Sequence, residues 1–363
     1  MDLLLIIRGL AAISVVVWHA VGYQGGLPLI NIPGRIAVWV FFGISGYVIA
    51  YGFLHRRYLF DSLGLKNFYL NRFLRIYPLF LLLSLFGWLT IWAGSGSNPL
   101  KREDLPSQIF ALQFNHGYKL NGVFWTLGLE IQFYLIAPAL TMLFFIKDAK
   151  WRWTTIAAFY FVSLAFNWSA VRYMAWSVDG RNLMSVLPHF FIGMVGCGLV
   201  TSVKHSKRKA TGYLMGALVC LVVSNWFYHK QPDWFWSVRG TVLVDAMILL
   251  FIFAHASIQP PHAAPSRLTR AFLWMGTLSY GIYAWHAYLM SSVDWISTDL
   301  GALLLASTLL AYVSYRWVEL PTLKLKRWQG DGSRVEKPSV PATLQCSLTD
   351  ANAVAGLYEQ QKN

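Results

Sequence analysis

Apolar residues in this chain come in long runs, separated by short basic or polar stretches, and that spacing predicts membrane-crossing helices. A bilayer core needs about 20 apolar residues per helix. Windows of that kind fall at 3–22, 34–54, 76–95, 124–146, 154–171, 183–202, 211–228, 239–257, 272–291 and 300–318, ten in all. Arg8 interrupts the first window and no small-residue cleavage region follows it, so it reads as a true first helix rather than a signal peptide. The prediction is an all-α, polytopic integral membrane protein with about ten spans. Beyond 325 the chain turns to Gly, Ser, Pro, Gln, Asn and charges. Residues 1–325 therefore read as one membrane domain and 326–363 as a disordered polar tail.

The cations fix an orientation. They gather in the even-numbered loops, at Arg56, Arg57, Lys66, Arg72 and Arg75, at Lys147, Lys150 and Arg152, at Lys204, Lys207, Arg208 and Lys209, at Arg267 and Arg270, and after the last span at Lys324, Lys326 and Arg327. The odd loops are poorer: Lys101 and Arg102 sit beside Glu103 and Asp104, then come Lys119, Arg172, Arg181, Lys230 and Arg239, and no cation lies between Asp294 and Asp299. By the positive-inside rule the even loops and both termini are cytoplasmic. The longest external loop, 96–123, holds an apolar stretch at Ile109–Phe114 that fits the membrane interface or a roof over the bundle.

Composition agrees. The 363 residues are 56% hydrophobic and only 13% charged, with a mean hydropathy of +0.47, whereas soluble domains carry about a quarter charged residues. A net charge of +14 in a soluble chain would suggest nucleic acid; here the loop topology accounts for it, and no nucleic-acid partner is expected. Cys197, Cys220 and Cys346 make neither a disulfide framework nor a metal cluster.

Ionisable side chains inside spans are expensive and mark functional sites by default. They are Arg8 and His19, Glu130, His189, Asp245 and His255, His286, and Arg316 with Glu319. Arg8 and His19 are eleven residues apart; at about 100° and 1.5 Å per residue they share one helix face about 16 Å apart. Taken singly, Arg8 also fits an arginine snorkelling to the inner headgroups and His19 a histidine satisfied by a neighbouring helix. Arg72 and Arg75, three residues apart, sit on one face just before the third span. They fit either a positive-inside anchor or a phosphate clamp. Glu130 needs a basic partner, His19 or an arginine. Gly43, Ser45 and Gly46 in FFGISGYVI allow close approach of a helix or a ligand. Tyr280, Tyr283 and His286 share SYGIYAWH, and Arg316 and Glu319 at i, i+3 read as a local ion pair.

Together the strings RGLAAISVVVWH, FFGISGYVI, FYLNRFLRIYPLF, WTLGLEIQFYL, SYGIYAWH and RWVELP resemble, in order, the membrane acyltransferase 3 family of O-antigen, peptidoglycan and nodulation-factor modifying proteins. Thr126, Tyr47 and Phe80 depart from the usual serine, phenylalanine and tyrosine without removing an ionisable group. The resemblance implies the stand-alone form, lacking the SGNH-type extracellular domain of some longer members.

It also implies a multi-pass inner-membrane O-acetyltransferase. Acyl-CoA, most simply acetyl-CoA, would be the cytoplasmic donor substrate, with no permanently bound cofactor and no metal. The acceptor would be a hydroxyl of a cell-surface glycan or lipid-linked saccharide, such as lipopolysaccharide. On this reading His19 is the base, Glu130 fixes its tautomer and Arg8 completes the catalytic set, while Arg72, Arg75, Ser45 and Gly46 bind the donor. A covalent acyl-histidine relay is a variant of the scheme. The rivals are a transporter or flippase for a glycan or small anion, against which the two halves show no repeat, and a membrane sensor that binds acyl-CoA without turnover.

Overall fold

The computed structural model describes residues 2–22, 32–96, 100, 104, 110, 120–174, 182–200, 206–228, 230–258, 265–293 and 299–327. The apolar stretch Ile109–Phe114, apart from Phe110, and the tail from 328 onward lie outside the described residues. The described residues form helices and no strands. Ten main helices follow one another: α1 Leu3–Val21, α2 Gly34–Leu54, α3 Ser62–Ser95, α4 Trp125–Met142, α5 Ala149–Tyr173, α6 Leu183–Leu199, α7 Lys207–Tyr228, α8 Thr241–Ser257, α9 Arg267–Ser292 and α10 Leu300–Ser314.

Each apolar window falls on one of these helices. Among the described residues eight helical stretches are long and apolar enough to cross a membrane. The other two are α6, apolar but 17 residues long, and α9, whose tyrosines, serines and histidine dilute its apolar character. Large apolar side chains stand exposed on the outer faces, among them Phe161, Val162, Val219, Leu305 and Trp317. A bilayer is the medium that would cover them.

Local chemistry sets the helix starts. Asp2, Asp61, Asp148, Asn182, Ser266 and Asp299 each accept from a backbone N–H three residues on, the usual way to satisfy orphan donors at a first turn. The Asp61 cap has a consequence for the site. It starts α3 fourteen residues before the apolar window, so a continuous helix of 34 residues runs through Pro78 and carries Arg72 and Arg75 within it. The arginines, expected just before a span, are built into the rigid helix itself.

Small residues bring the inner helices together. α2 is buried nearly throughout and packs on α6 where a Cβ at Gly46 would overlap the Phe190 carbonyl and one at Gly193 would overlap the Gly43 carbonyl. α1 meets α9 through Gly9 and Gly276, the latter against the Leu5 carbonyl. Contacts run α7–α8–α6–α2–α1–α9–α10, with α3 and α4 closing one side. Two π-turns interrupt the regular pattern, Trp236–Gly240 ahead of α8 and Tyr315–Glu319 after α10.

Candidate active site

Five helices, α1, α2, α3, α4 and α9, enclose a cavity of about 790 Å³, open mouth included. Arg8 of α1, Ser45 of α2, Arg72 and Arg75 of α3 and Glu130 of α4 all line it. Five of the seven residues singled out from the sequence therefore meet in one place. The remaining wall is mainly aromatic and aliphatic, with Phe41, Phe42, Val48, Tyr134, Tyr280 and Tyr283 prominent and Thr126 and Ser279 as its other polar residues.

The two α3 arginines project from one face, as their spacing requires. Arg72 lies with its guanidinium carbon 5.5 Å from the ring centres of both Phe68 and Tyr134, within cation–π range. Arg75 is 5.8 Å from the Tyr280 ring and donates to Glu319 at 3.4 Å. Arg8 makes no hydrogen bond or ion pair among the described residues. Three guanidiniums thus converge with much of their donor capacity unspent, an arrangement suited to a polyanion.

Glu130 departs from the expected pairing. Its Oε1 accepts from the Ser45 hydroxyl at 2.6 Å and from the Tyr134 hydroxyl, so a carboxylate in an apolar wall is held by two O–H donors, with arginines across the cavity. It does not hold His19. That role falls to His286 of α9, whose Nε2 lies 2.9 Å from His19 Nδ1, the rings stacked with centroids 5.2 Å apart. His19 is exposed at the end of α1 and His286 fully buried. Tyr283 connects the pair to the cavity: it lines the wall and its ring centre is 5.6 Å from that of His286. Tyr283 is itself fixed by Thr126 at 3.1 Å and by donating to the Val123 carbonyl.

Gly46 does not line the cavity. Its α-carbon faces the Phe190 carbonyl, and only the preceding Ser45 turns inward; of the two roles open to small residues in this string, Gly46 takes the helix-packing one. Nor does Arg316 pair with Glu319. The π-turn over Tyr315–Glu319 changes the register that an i, i+3 contact needs; Arg316 is exposed and Glu319 turns to Arg75.

Of the other ionisable side chains expected inside spans, His189, Asp245 and His255 lie outside the cavity. His189 Nδ1 and Asp245 Oδ1 are 2.6 Å apart, with the Tyr160 hydroxyl donating to Asp245 Oδ2, which ties α5, α6 and α8 together. His255 faces Asp2 at 4.0 Å.

Tyr134 and Ser279 are site residues that sequence reasoning missed. Tyr134, one turn beyond Glu130 on the same face, was within reach of the i, i+4 rule. Ser279, fully buried on the cavity wall with its hydroxyl unpartnered, opens the SYGIYAWH string.

The family described as an acyltransferase domain matches residues 4–316. The peptidoglycan O-acetyltransferase OatA of Listeria monocytogenes is 24% identical over 353 residues, covering 88% of this chain and 55% of that protein. The putative acetyltransferase ORF330 of Acidianus two-tailed virus is 25% identical over 289 residues, 77% of this chain and 80% of its own. The putative peptidoglycan O-acetyltransferase YrhL of Bacillus subtilis is 24% identical over 414 residues, 98% of this chain and 62% of its own. The chain thus spans little more than half the length of the first of these relatives. No solved structure matches it.

Proposed function

Since the chain belongs to the acyltransferase domain family over residues 4–316, we propose that it is a multi-pass membrane O-acyltransferase of the inner membrane that moves an acyl group, most simply acetyl, from acyl-CoA to a glycan hydroxyl. The observation that carries this reading is the convergence of Arg8, Arg72 and Arg75 on one cavity whose far wall, Tyr283, abuts the His19–His286 pair. The guanidiniums take the donor's phosphates through charge-assisted hydrogen bonds. The positive-inside pattern of the basic loops favours a cytoplasmic mouth, the side on which acyl-CoA is made. The aliphatic and aromatic wall receives the acyl-pantetheine arm.

In this scheme His19 Nδ1–H donates to His286 Nε2, which leaves the lone pair of His19 Nε2 free to act as general base. It takes the proton of the acceptor hydroxyl as that oxygen attacks the thioester carbonyl. The tetrahedral intermediate collapses with cleavage of the C–S bond, and the thiolate leaves with the proton from the imidazolium. Glu130, held by Ser45 and Tyr134, balances the arginines and keeps them turned into the cavity. The O-acetyltransferase names of the relatives favour a glycan as acceptor, peptidoglycan among the candidates.

The test is transfer of radiolabelled acetyl from acetyl-CoA in membranes expressing the chain, followed by release of labelled acetate from the isolated glycan with mild base. Base-labile label that depends on the chain and on His19 is the expected result. No chain-dependent incorporation from acetyl-CoA, with the protein present and folded, would overturn the reading.

A further inference from the structure

The segment that follows the last helix returns to the arginine cluster. Asn71, buried within α3 and next in sequence to Arg72, accepts from the Arg327 backbone N–H at 2.9 Å and donates to the Arg327 carbonyl at 2.6 Å. Its amide also donates to the Tyr58 hydroxyl at 3.0 Å. One side chain thereby fastens both backbone groups of a residue 256 positions away. Thr322 adds a longer bond to the Leu74 carbonyl, at 3.4 Å. Together they lay the end of α10 and the residues after it along the α3 turn that carries Arg72 and Arg75.

Lys326 is thereby set beside those arginines. Its ammonium forms no hydrogen bond or ion pair among the described residues, although Arg75, Arg72, Arg8 and Glu319 all bear on it electrostatically. With Lys326 protonated, the four cations Arg8, Arg72, Arg75 and Lys326 stand against two carboxylates, Glu130 and Glu319, a surplus of two positive charges; with Lys326 neutral the surplus is one. Two buried polar atoms in the cluster, Arg72 Nε and Glu319 Oε1, have no partner. A half-buried cluster with surplus charge and unused hydrogen-bonding atoms is complete only with an anion in it.

We propose that Lys326, positioned by the Asn71–Arg327 clamp, is a fourth cation of the donor site and contacts a phosphate of the nucleotide half of the donor. The inference rests on the acyl-CoA reading above and assigns a role to a residue outside the matched stretch 4–316. It carries a chemical signature. Burial first, and then the neighbouring Arg75, Arg72 and Arg8, push the Lys326 ammonium down to about 7. An arriving phosphate favours the charged form, so donor binding above neutrality draws a proton onto Lys326. The arginines remain charged throughout and supply no such proton.

The experiment is calorimetric titration of the purified full chain with coenzyme A at pH 8, in two buffers of different ionisation enthalpy. Wild type takes up close to one proton per coenzyme A bound. Lys326→Met binds about tenfold more weakly, the loss of one charge-assisted contact, with no proton uptake at that pH. Lys326→Arg restores affinity while uptake stays absent, which a merely structural role for the side chain would not produce. Wild-type affinity and proton uptake in a monodisperse Lys326→Met protein overturn the assignment while leaving the donor reading intact. Failure of folded wild type to bind coenzyme A removes both.

Discussion

His19 Nδ1 of the first helix and His286 Nε2 of the ninth lie 2.9 Å apart, joined across 267 positions of sequence. A His19 Nδ1 proton in this gap leaves the lone pair of His19 Nε2 as an acceptor, whereas a His286 Nε2 proton in the same gap leaves His19 Nε2 protonated.

If His19 is the base, His19→Ala lowers turnover about 10²–10⁴-fold, the usual range for loss of a general base, and leaves donor affinity unchanged. His286→Ala frees the His19 tautomer and lowers kcat by a smaller factor, with KM for both substrates little affected. The comparison is steady-state acetyl transfer by wild type and the two variants; equal loss in KM and none in kcat would assign the pair to binding.

Removing either α3 guanidinium acts on the other end of the cavity. Arg72→Ala and Arg75→Ala should each raise the donor KM about 10–100-fold, the equivalent of 1.5–3 kcal/mol for a charge-assisted hydrogen bond, with the acceptor KM unaltered. An unchanged donor KM in both variants returns these residues to membrane anchoring.

Glu130→Gln keeps the shape and removes the charge that accepts from Ser45 and Tyr134. With no carboxylate opposite the arginines, their mutual repulsion is less balanced, so the variant is expected to fold with a lower melting temperature and reduced transfer. Ser45→Ala removes a single donor and should have a milder effect of about 1 kcal/mol. Thermal unfolding in detergent and transfer assays on the two proteins report the order; a Ser45→Ala protein more damaged than Glu130→Gln would contradict it.

Asp2 caps α1 through Leu5 N, and burial raises its carboxyl to about 6 from 3.8, against smaller opposing effects of the Leu5 N–H and Arg8. Between pH 4 and 6 the folded chain therefore holds a proton that the unfolded chain has released. Stability rises as pH falls through that window and the penalty is complete above it. Asp2→Asn retains the cap, since asparagine caps as well as aspartate, and carries no charge. It should raise the melting temperature above pH 6 and match wild type near pH 4, as thermal melts in detergent across pH 4–8 can establish.

Much of this was legible beforehand because it depends on local spacing. The ten apolar windows each became a helix, and the eleven-residue interval from Arg8 to His19 put one on the cavity and the other near its far wall. The i, i+3 interval of Arg72 and Arg75 likewise set both into the same cavity. Pairings across the bundle were not legible. That His19 meets His286 and not Glu130, and that Glu319 meets Arg75 and not Arg316, depends on which helices are neighbours and, for Glu319, on a π-turn that no period in the sequence announces. Ser45 and Gly46 differ for the same reason: adjacent in sequence, they sit about 100° apart around α2, and only the helix opposite decides which one faces the cavity.

The contact between Gly46 and the Phe190 carbonyl, matched by Gly193 against Gly43, leaves α2 no room to slide or turn against α6. Ser45, Phe41, Phe42 and Val48 therefore stand on a floor that cannot recede to admit a larger guest. If the cavity takes the acyl arm as proposed, redesign for longer acyl chains has to proceed by shortening those side chains, because shifting the helix beneath them would drive two backbones into each other.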